Sequence, residues 1–380
     1  MSDNGDLVAP PRIPFLDLAS AFNELSADIE QALLRVARSG WYLLGTELAS
    51  FESSFATYVE SDFASGCGNG LDAIELALRA WGVGPGDEVI VPANTYIATW
   101  LAVSRVGATI VPCEPDDDTF NIDPRKVEEL VTSRTRVILA VHLYGQPADL
   151  NALRNIAEAH DLILLEDAAQ AHGAAAHGRR IGSGQGVAWS FYPGKNLGAL
   201  GDGGAVTTDD PEVDARIRRL RNYGSAVKYH NEEIGTNSRL DEIQAAVLNV
   251  KLGHLEAWNK RRKDIASTYL SGLADCEHIR LPHVPAWADP VWHLFVVRTP
   301  RRDELADHLR RLGVDTLLHY PVPPHRQPAY ADLGMSEGEY PLSERMHREV
   351  LSLPIGPHLT HDAVERIIDG VRRFTVAPSP

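Results

Sequence analysis

A lysine stands directly after a tight turn in Ser190-Phe-Tyr-Pro-Gly-Lys195-Asn-Leu-Gly198. A lysine on a turn is ordinarily a solvated surface residue, but three features set this one apart. It is flanked by Gly194 and Gly198. It follows the C-terminal end of an expected strand, where open α/β sheets bind ligands. The next stretch, Gly201-Asp-Gly-Gly204, keeps the backbone bare. A desolvated lysine loses its proton readily and becomes a nucleophile able to form a Schiff base.

Asp167 lies 28 residues before that lysine, where the apolar run Leu162-Ile-Leu-Leu165 meets two carboxylates and then Gln170, His172 and Gly173. An acid at a strand end either caps a following helix or faces a cation. Side chains alternate along a strand, so Glu166 turns to the other side and Asp167 is the better candidate for the lysine's side. Pyridoxal phosphate (PLP) uses such a pair. Its ring acts as an electron sink when the pyridine nitrogen is protonated, and an Asp partner favours that state. Cys67-Gly-Asn-Gly70-Leu-Asp-Ala73 opens a helix with small residues, which bares N–H groups at the positive end of the helix dipole. Alone it reads equally well as a glycine-rich turn. Beside the lysine and the aspartate, a cofactor phosphate becomes the natural occupant. Tyr96, after Pro92-Ala-Asn-Thr, either fills the core or stacks on a flat ring.

These residues need a scaffold that brings strand ends together. Short apolar runs at Glu88–Pro92, Thr109–Pro112, Arg136–Val141, Leu162–Leu165, Val187–Tyr192 and Gly204–Thr208 alternate with helical stretches at Leu71–Trp81 and around 95–106, 124–132 and 148–159. That alternation, with near-continuous apolar strands, predicts a mostly parallel sheet with helices on both faces. Before it, residues 1–14 read as an extended arm. Phe22, Leu25, Ile29, Leu33 and Val36 predict one amphipathic helix ended by Ser39-Gly40, and Glu47–Tyr58 a second. After it, Leu240–Lys260 reads as one long helix leading into a smaller C-terminal α/β domain. That domain carries a strand at Trp292–Thr299, a helix at Arg302–Leu312, a proline-rich loop, and helices near 342–351 and 361–373. The expected division is 1–255, arm and large domain, and 256–380, small domain.

Composition narrows the function. The chain has 380 residues and a formal net charge of −16, which argues against nucleic acid as a partner. Cys67, Cys113 and Cys276 have no metal-type spacing, so no metal is expected, and they read as reduced thiols of a cytoplasmic protein. The first residues lack the charged and apolar regions of a signal peptide, and no apolar run approaches membrane-spanning length.

The sequence resembles the DegT-type sugar aminotransferases of PLP fold type I along nearly its whole length. Ile13-Pro-Phe-Leu-Asp17, Ser39-Gly-Trp-Tyr42, Val141-His-Leu-Tyr-Gly145, Glu166–Gly173 and Asn237-Ser-Arg-Leu-Asp-Glu242 carry the resemblance, and Phe191–Gly198 is its most specific piece. It implies that Lys195 holds PLP and shuttles a proton, that Asp167 pairs with the ring nitrogen, that Gln170 lies near the ring hydroxyl and that Tyr96 stacks on the ring. The phosphate would meet Gly70, Leu71, Ser190 and, from a second copy, Asn237, which implies a homodimer with shared active sites. Family members often carry Thr at the position of Leu71, so here the phosphate is expected to rely on backbone N–H groups and Ser190.

The resemblance is strongest to the branch acting on dTDP-3-keto-6-deoxyhexoses, with L-glutamate as amino donor and a 3-amino-3,6-dideoxy sugar as product. Tyr192, Tyr320 and His325 are candidate sugar contacts, His325 being equally an ordinary loop histidine. Lys228 is a candidate partner for the nucleotide's diphosphate in an otherwise acidic protein. Three alternatives stand beside this reading. A 4-keto aminotransferase would use the same cofactor residues. A dehydratase of this fold has histidine in place of the lysine. A sensor or regulator bound to DNA would need a basic recognition element that the chain lacks.

Overall fold

A computed structural model describes residues 11–374 of the chain, so most of the expected N-terminal arm lies outside the described residues. A seven-stranded sheet forms the centre: β1 (Phe63–Cys67), β2 (Glu88–Pro92), β3 (Thr109–Cys113), β4 (Thr135–Val141), β5 (Ile163–Asp167), β6 (Val187–Ser190) and β7 (Gly204–Thr208). Their spatial order is β1-β7-β6-β5-β4-β2-β3. The pairs from β6 through β3 are parallel, and β7 alone runs antiparallel, to β6 on one side and β1 on the other. Six strands therefore end on the same edge of the sheet.

Alternation along the strands sorts the apolar side chains into two layers. Ile90 and Ile138 face one layer, packed with Phe51 and Phe55 of α3 (Thr46–Tyr58), Leu153 and Leu248. Val89, Val91, Val137 and Leu139 face the other, packed with Ile74 and Leu76, Trp100 and Ile217. Both faces are covered by helices, which is why these strands are apolar throughout rather than alternating. Beneath the lysine turn, Phe51, Phe55, Trp189 and Phe191 meet edge to face at 5.2–5.3 Å. Burying each such ring contributes on the order of 2 kcal/mol, so the floor of the turn is rigid.

The smaller unit pairs two antiparallel strands, β8 (Phe295–Arg298) and β9 (Val350–Leu353), under helices at Arg302–Arg311, Pro341–Glu349 and His361–Arg372. The helix Leu255–Gly272 joins the two units: Leu255 sits in the large core, and Ala266 and Tyr269 sit in the small one. Ile13 also belongs to the small core and donates its N–H to Gly313 O at 2.8 Å.

Four elements differ from expectation. The helix at Phe22–Val36 is two, α1 (Leu18–Glu24) and α2 (Ser26–Ser39), because Leu25 leaves helical geometry between them; Gly40 ends the second with φ +70°. The long helix at Leu240–Lys260 is likewise broken at Gly253-His254. Val350 and Leu351 form a strand rather than a helix end, since β8 offers them a ladder partner. Strand β1, built of Phe-Ala-Ser-Gly-Cys, carries no apolar run that would announce it, and its pairing with β7 creates it. Among the described residues no helix is long and apolar enough to cross a membrane.

Candidate active site

The common strand edge gathers the chemical residues. Asp167 is the last residue of β5 and is 7% exposed. Its Oδ2 accepts from the Thr99 hydroxyl at 2.9 Å and its Oδ1 from the Ala169 N–H at 3.1 Å. Burial raises its pKa, opposed by those two bonds and by the charge of Lys195. Thr95 lies 2.9 Å from Thr99 and steadies it. Glu166 points the other way, into a buried pair with His142 at 2.9 Å. The His142 Nδ1 accepts from the Ala148 N–H, so its Nε2–H donates to Glu166.

Lys195 is held on a closed turn after β6. Its N–H donates to Tyr192 O, and the Ala199 N–H donates to Phe191 O, each at 2.8 Å. Burial lowers the lysine's pKa to about 8, against the opposing pull of Asp167. The amine is thus far easier to deprotonate than a surface lysine. Burial holds His172, His293 and His319 below the ordinary imidazole range, His172 at about 3 and His319 at about 4, and the charge of Lys195 pushes all three the same way. They are neutral groups around the amine and add no competing cation. His293 donates from Nδ1 to Asn196 Oδ1 at 3.2 Å, the residue next to the lysine.

A bare helix start, the expected phosphate cradle, stands beside this pair. The helix α4 (Gly70–Ala80) begins at the end of β1, and its cap Asn69 accepts from the Asp72 N–H at 2.9 Å. The N–H groups of Gly70 and Leu71 come before the first intrahelical donor position and remain available. A Cβ on Gly70 would lie 2.6 Å from the Ser190 Cβ. Only glycine lets the helix start approach the Ser190 hydroxyl so closely. Tyr96 is exposed at the mouth, its ring 4.9 Å from that of Tyr320. Gln170 accepts from the Tyr144 N–H and donates to the Tyr320 hydroxyl at 3.1 Å. Burial raises the Tyr320 phenol well above its usual range, keeping it protonated.

The remaining candidates divide. Tyr192 is 59% exposed beside the turn. Lys228 is exposed, with its ammonium over the Tyr229 ring at 5.1 Å. Asn237 is exposed; its neighbour Ser238 accepts from the Gly68 N–H at 2.9 Å and donates to Asp72 at 2.7 Å, which ties the segment to the cradle. His325 stands apart from these three. It is 3% exposed, its Nε2 is 3.1 Å from Glu344 and its ring tilts on Tyr340. An interior pair of this kind favours the loop-histidine reading over the sugar contact. Sequence reasoning selects Tyr320 and passes over its neighbour His319, whose Nδ1 lies 2.8 Å from the Ser352 hydroxyl. It also misses Thr99, although Thr95 and Thr99 sit one helical turn apart beside Tyr96.

Comparison with known proteins decides what this geometry serves. The profile of the "DegT/DnrJ/EryC1/StrS aminotransferase family" matches residues 23–372. The chain belongs to this family. It is 59% identical over 365 residues, 96% of each chain, to the dTDP-3-amino-3,4,6-trideoxy-alpha-D-glucose transaminase of Streptomyces venezuelae. It is 50% identical over 368 residues to the dTDP-3-amino-3,6-dideoxy-alpha-D-galactopyranose transaminase of Aneurinibacillus thermoaerophilus, covering 95% of this chain and 99% of that one. Among solved structures, S. venezuelae DesV in complex with a ketimine intermediate matches with a TM-score of 0.95 at 59% identity, over 96% of this chain and 98% of that chain. The fold is that of the DegT-family aminotransferases, and the cofactor is pyridoxal phosphate. That cofactor supplies an aldehyde to receive the amino group and a protonated ring to accept electrons. The glycine cradle with Ser190, the buried Asp167 and the desolvated Lys195 fit its phosphate, its ring nitrogen and its aldehyde.

Proposed function

We propose that this DegT-family enzyme transfers an amino group from L-glutamate to C3 of a dTDP-linked 3-keto-6-deoxyhexose, giving the dTDP-3-amino-3,6-dideoxy sugar. Near full-length identity of 59% and 50% to two dTDP-3-amino-sugar transaminases carries this reading. Those two relatives differ in whether C4 of the sugar bears oxygen, so C4 is open to the same test that fixes C3.

In this reading Lys195 holds the cofactor and, when free, moves a proton at its Nζ. Its lowered pKa suits that task near neutral pH. Asp167, held by Thr99 and the Ala169 N–H, faces the ring nitrogen. Gly70 and Leu71 N–H groups and the Ser190 hydroxyl hold the phosphate, Tyr96 covers the ring, and Gln170 meets the ring hydroxyl. Tyr192 and Tyr320 contact the sugar, and Lys228 offsets the diphosphate.

The active unit is a homodimer in which Asn237 of the partner subunit completes the phosphate site. Large apolar side chains left in solvent support this: Trp41, Tyr42, Val227, Tyr229 at 86% and Ile234 at 88% exposure. Trp41, Tyr42, Leu43 and Leu44 are consecutive and all exposed, and a contiguous apolar patch marks an interaction surface. The three cysteines are free, which agrees with a cytoplasmic enzyme.

The test is a single-turnover reaction. The enzyme is converted to its pyridoxamine form with glutamate, cleared of donor, and mixed with a 3-keto or a 4-keto dTDP-6-deoxyhexose. Return of the cofactor's visible absorption with the 3-keto sugar alone, and a product amino group placed at C3 by NMR, is the expected outcome. Return only with the 4-keto sugar moves the enzyme to the 4-amino branch.

A further inference from the structure

Behind the lysine turn lies a charged residue that none of these roles uses. Lys251, on the helix Glu242–Leu252, is 7% exposed, and its ammonium donates to Gly198 O at 2.7 Å. Among the described residues it has no carboxylate partner. Burial alone lowers its pKa, to about 8. A buried ammonium with only a carbonyl for company is costly, so its retention calls for a reason.

Its position supplies one. Gly198 closes the turn that carries Lys195: a Cβ there would lie 2.4 Å from Pro193 O, so the two ends of the turn touch. Two turns earlier on the same helix, Gln244 Oε1 accepts from the Leu200 N–H at 2.8 Å. The spacing of 244 and 251 puts both side chains on one helix face. One takes a donor and the other an acceptor from the segment that closes the turn. Ala246, about half a turn round the helix from both, packs against Ala32 and Val36 of α2, so the helix is a fixed support.

We infer that Lys251, with Gln244, is a positioning residue that brackets the Pro193–Leu200 turn and sets where the Lys195 amine stands. The inference rests on Lys195 being the lysine that carries the cofactor. A displacement of about 1 Å at that amine is enough to cost roughly tenfold to a hundredfold in turnover.

The experiment compares holoenzyme of wild type, Lys251→Met, Lys251→Arg and Gln244→Leu. Cofactor content, circular dichroism of the cofactor's visible band, and kcat and KM for both substrates are measured. Borohydride reduction with peptide mapping locates the cofactor attachment. In Lys251→Met the expected result is full cofactor content, altered visible dichroism and kcat lowered about tenfold or more, with each KM within about twofold. Lys251→Arg restores part of both signals, and Gln244→Leu moves them in the same direction but less. Wild-type dichroism and kcat in a folded, loaded Lys251→Met overturn the inference. If that variant does not fold, unchanged dichroism and kcat in Gln244→Leu overturn it. A cofactor mapped to a lysine other than Lys195 overturns the underlying assignment instead, and the two failures are told apart by the map.

Discussion

The two walls of the site are built differently. The cofactor wall is made of strand ends and a helix start, with each polar group held by the chain itself. Asp167 has two donors, Asn69 caps α4 and Lys195 sits on a doubly bonded turn. The wall proposed to face the sugar is made of loops and exposed side chains, with Tyr192 and Lys228 largely in solvent. Chemistry common to all substrates is preorganised by a rigid scaffold, while substrate recognition is left to the loops. In the dimeric reading, Asn237 of the partner subunit completes the phosphate site of the first wall.

The contrast predicts steep losses on the first wall and graded ones on the second. Lys195→Ala removes both the attachment and the proton carrier, and single-turnover absorbance should show no amino transfer. Asp167→Ala should lower kcat by roughly a thousandfold or more, in line with losing one preorganised charge at a reacting group, with glutamate KM changed far less. Thr99 gives that effect an internal check, because among the described residues its hydroxyl hydrogen-bonds only with the carboxylate and Thr95.

Stability offers a test of opposite sign. The folded-state pKa of Lys195 is lowered by burial to about 8, below its ordinary value of 10.5. The folded apoprotein therefore binds fewer protons than the unfolded chain between those values, and its stability rises with pH there. Lys195→Met apoprotein should melt above wild type at pH 7, and the gap should close as pH climbs toward 10.5. A gap independent of pH would mean that the amine is not desolvated.

His325 tests the boundary between the walls. His325→Ala leaves the buried Glu344 carboxylate without its imidazole, which should cost about 1–3 kcal/mol of stability in denaturant unfolding. The sugar-nucleotide KM should hold, and a raised KM would return His325 to the sugar wall. The smallest effect is expected at Lys228→Ala. Losing one exposed charge should raise the sugar-nucleotide KM a few-fold, more at low salt than at high, and leave the glutamate KM alone. An unchanged sugar-nucleotide KM would remove Lys228 from the diphosphate site.

Much of the first wall is legible in the sequence. The apolar runs that become β2, β4, β5 and β6 must be buried on both faces, and the residues directly after each run must lie at a strand end. That reasoning places Asp167, Ser190, Lys195 and Tyr96 on one edge. Strand β1 is not legible, because Ala64, Ser65 and Gly66 carry no apolar signal and owe their extended form to β7. The break at Gly253-His254 is hidden because apolar residues continue across it, from Leu252 to Leu255.

The sequence by itself determined the kinds of group present and their order along each strand, since alternation and helix starts follow from local geometry. The tertiary structure decided which distant groups meet. Thr99 reaches Asp167 across 68 residues, Lys251 reaches Gly198 across 53, and His325 turns inward to Glu344. No local pattern encodes such contacts, because burial and partner choice depend on how separate elements pack, and packing is settled only when the whole chain has folded.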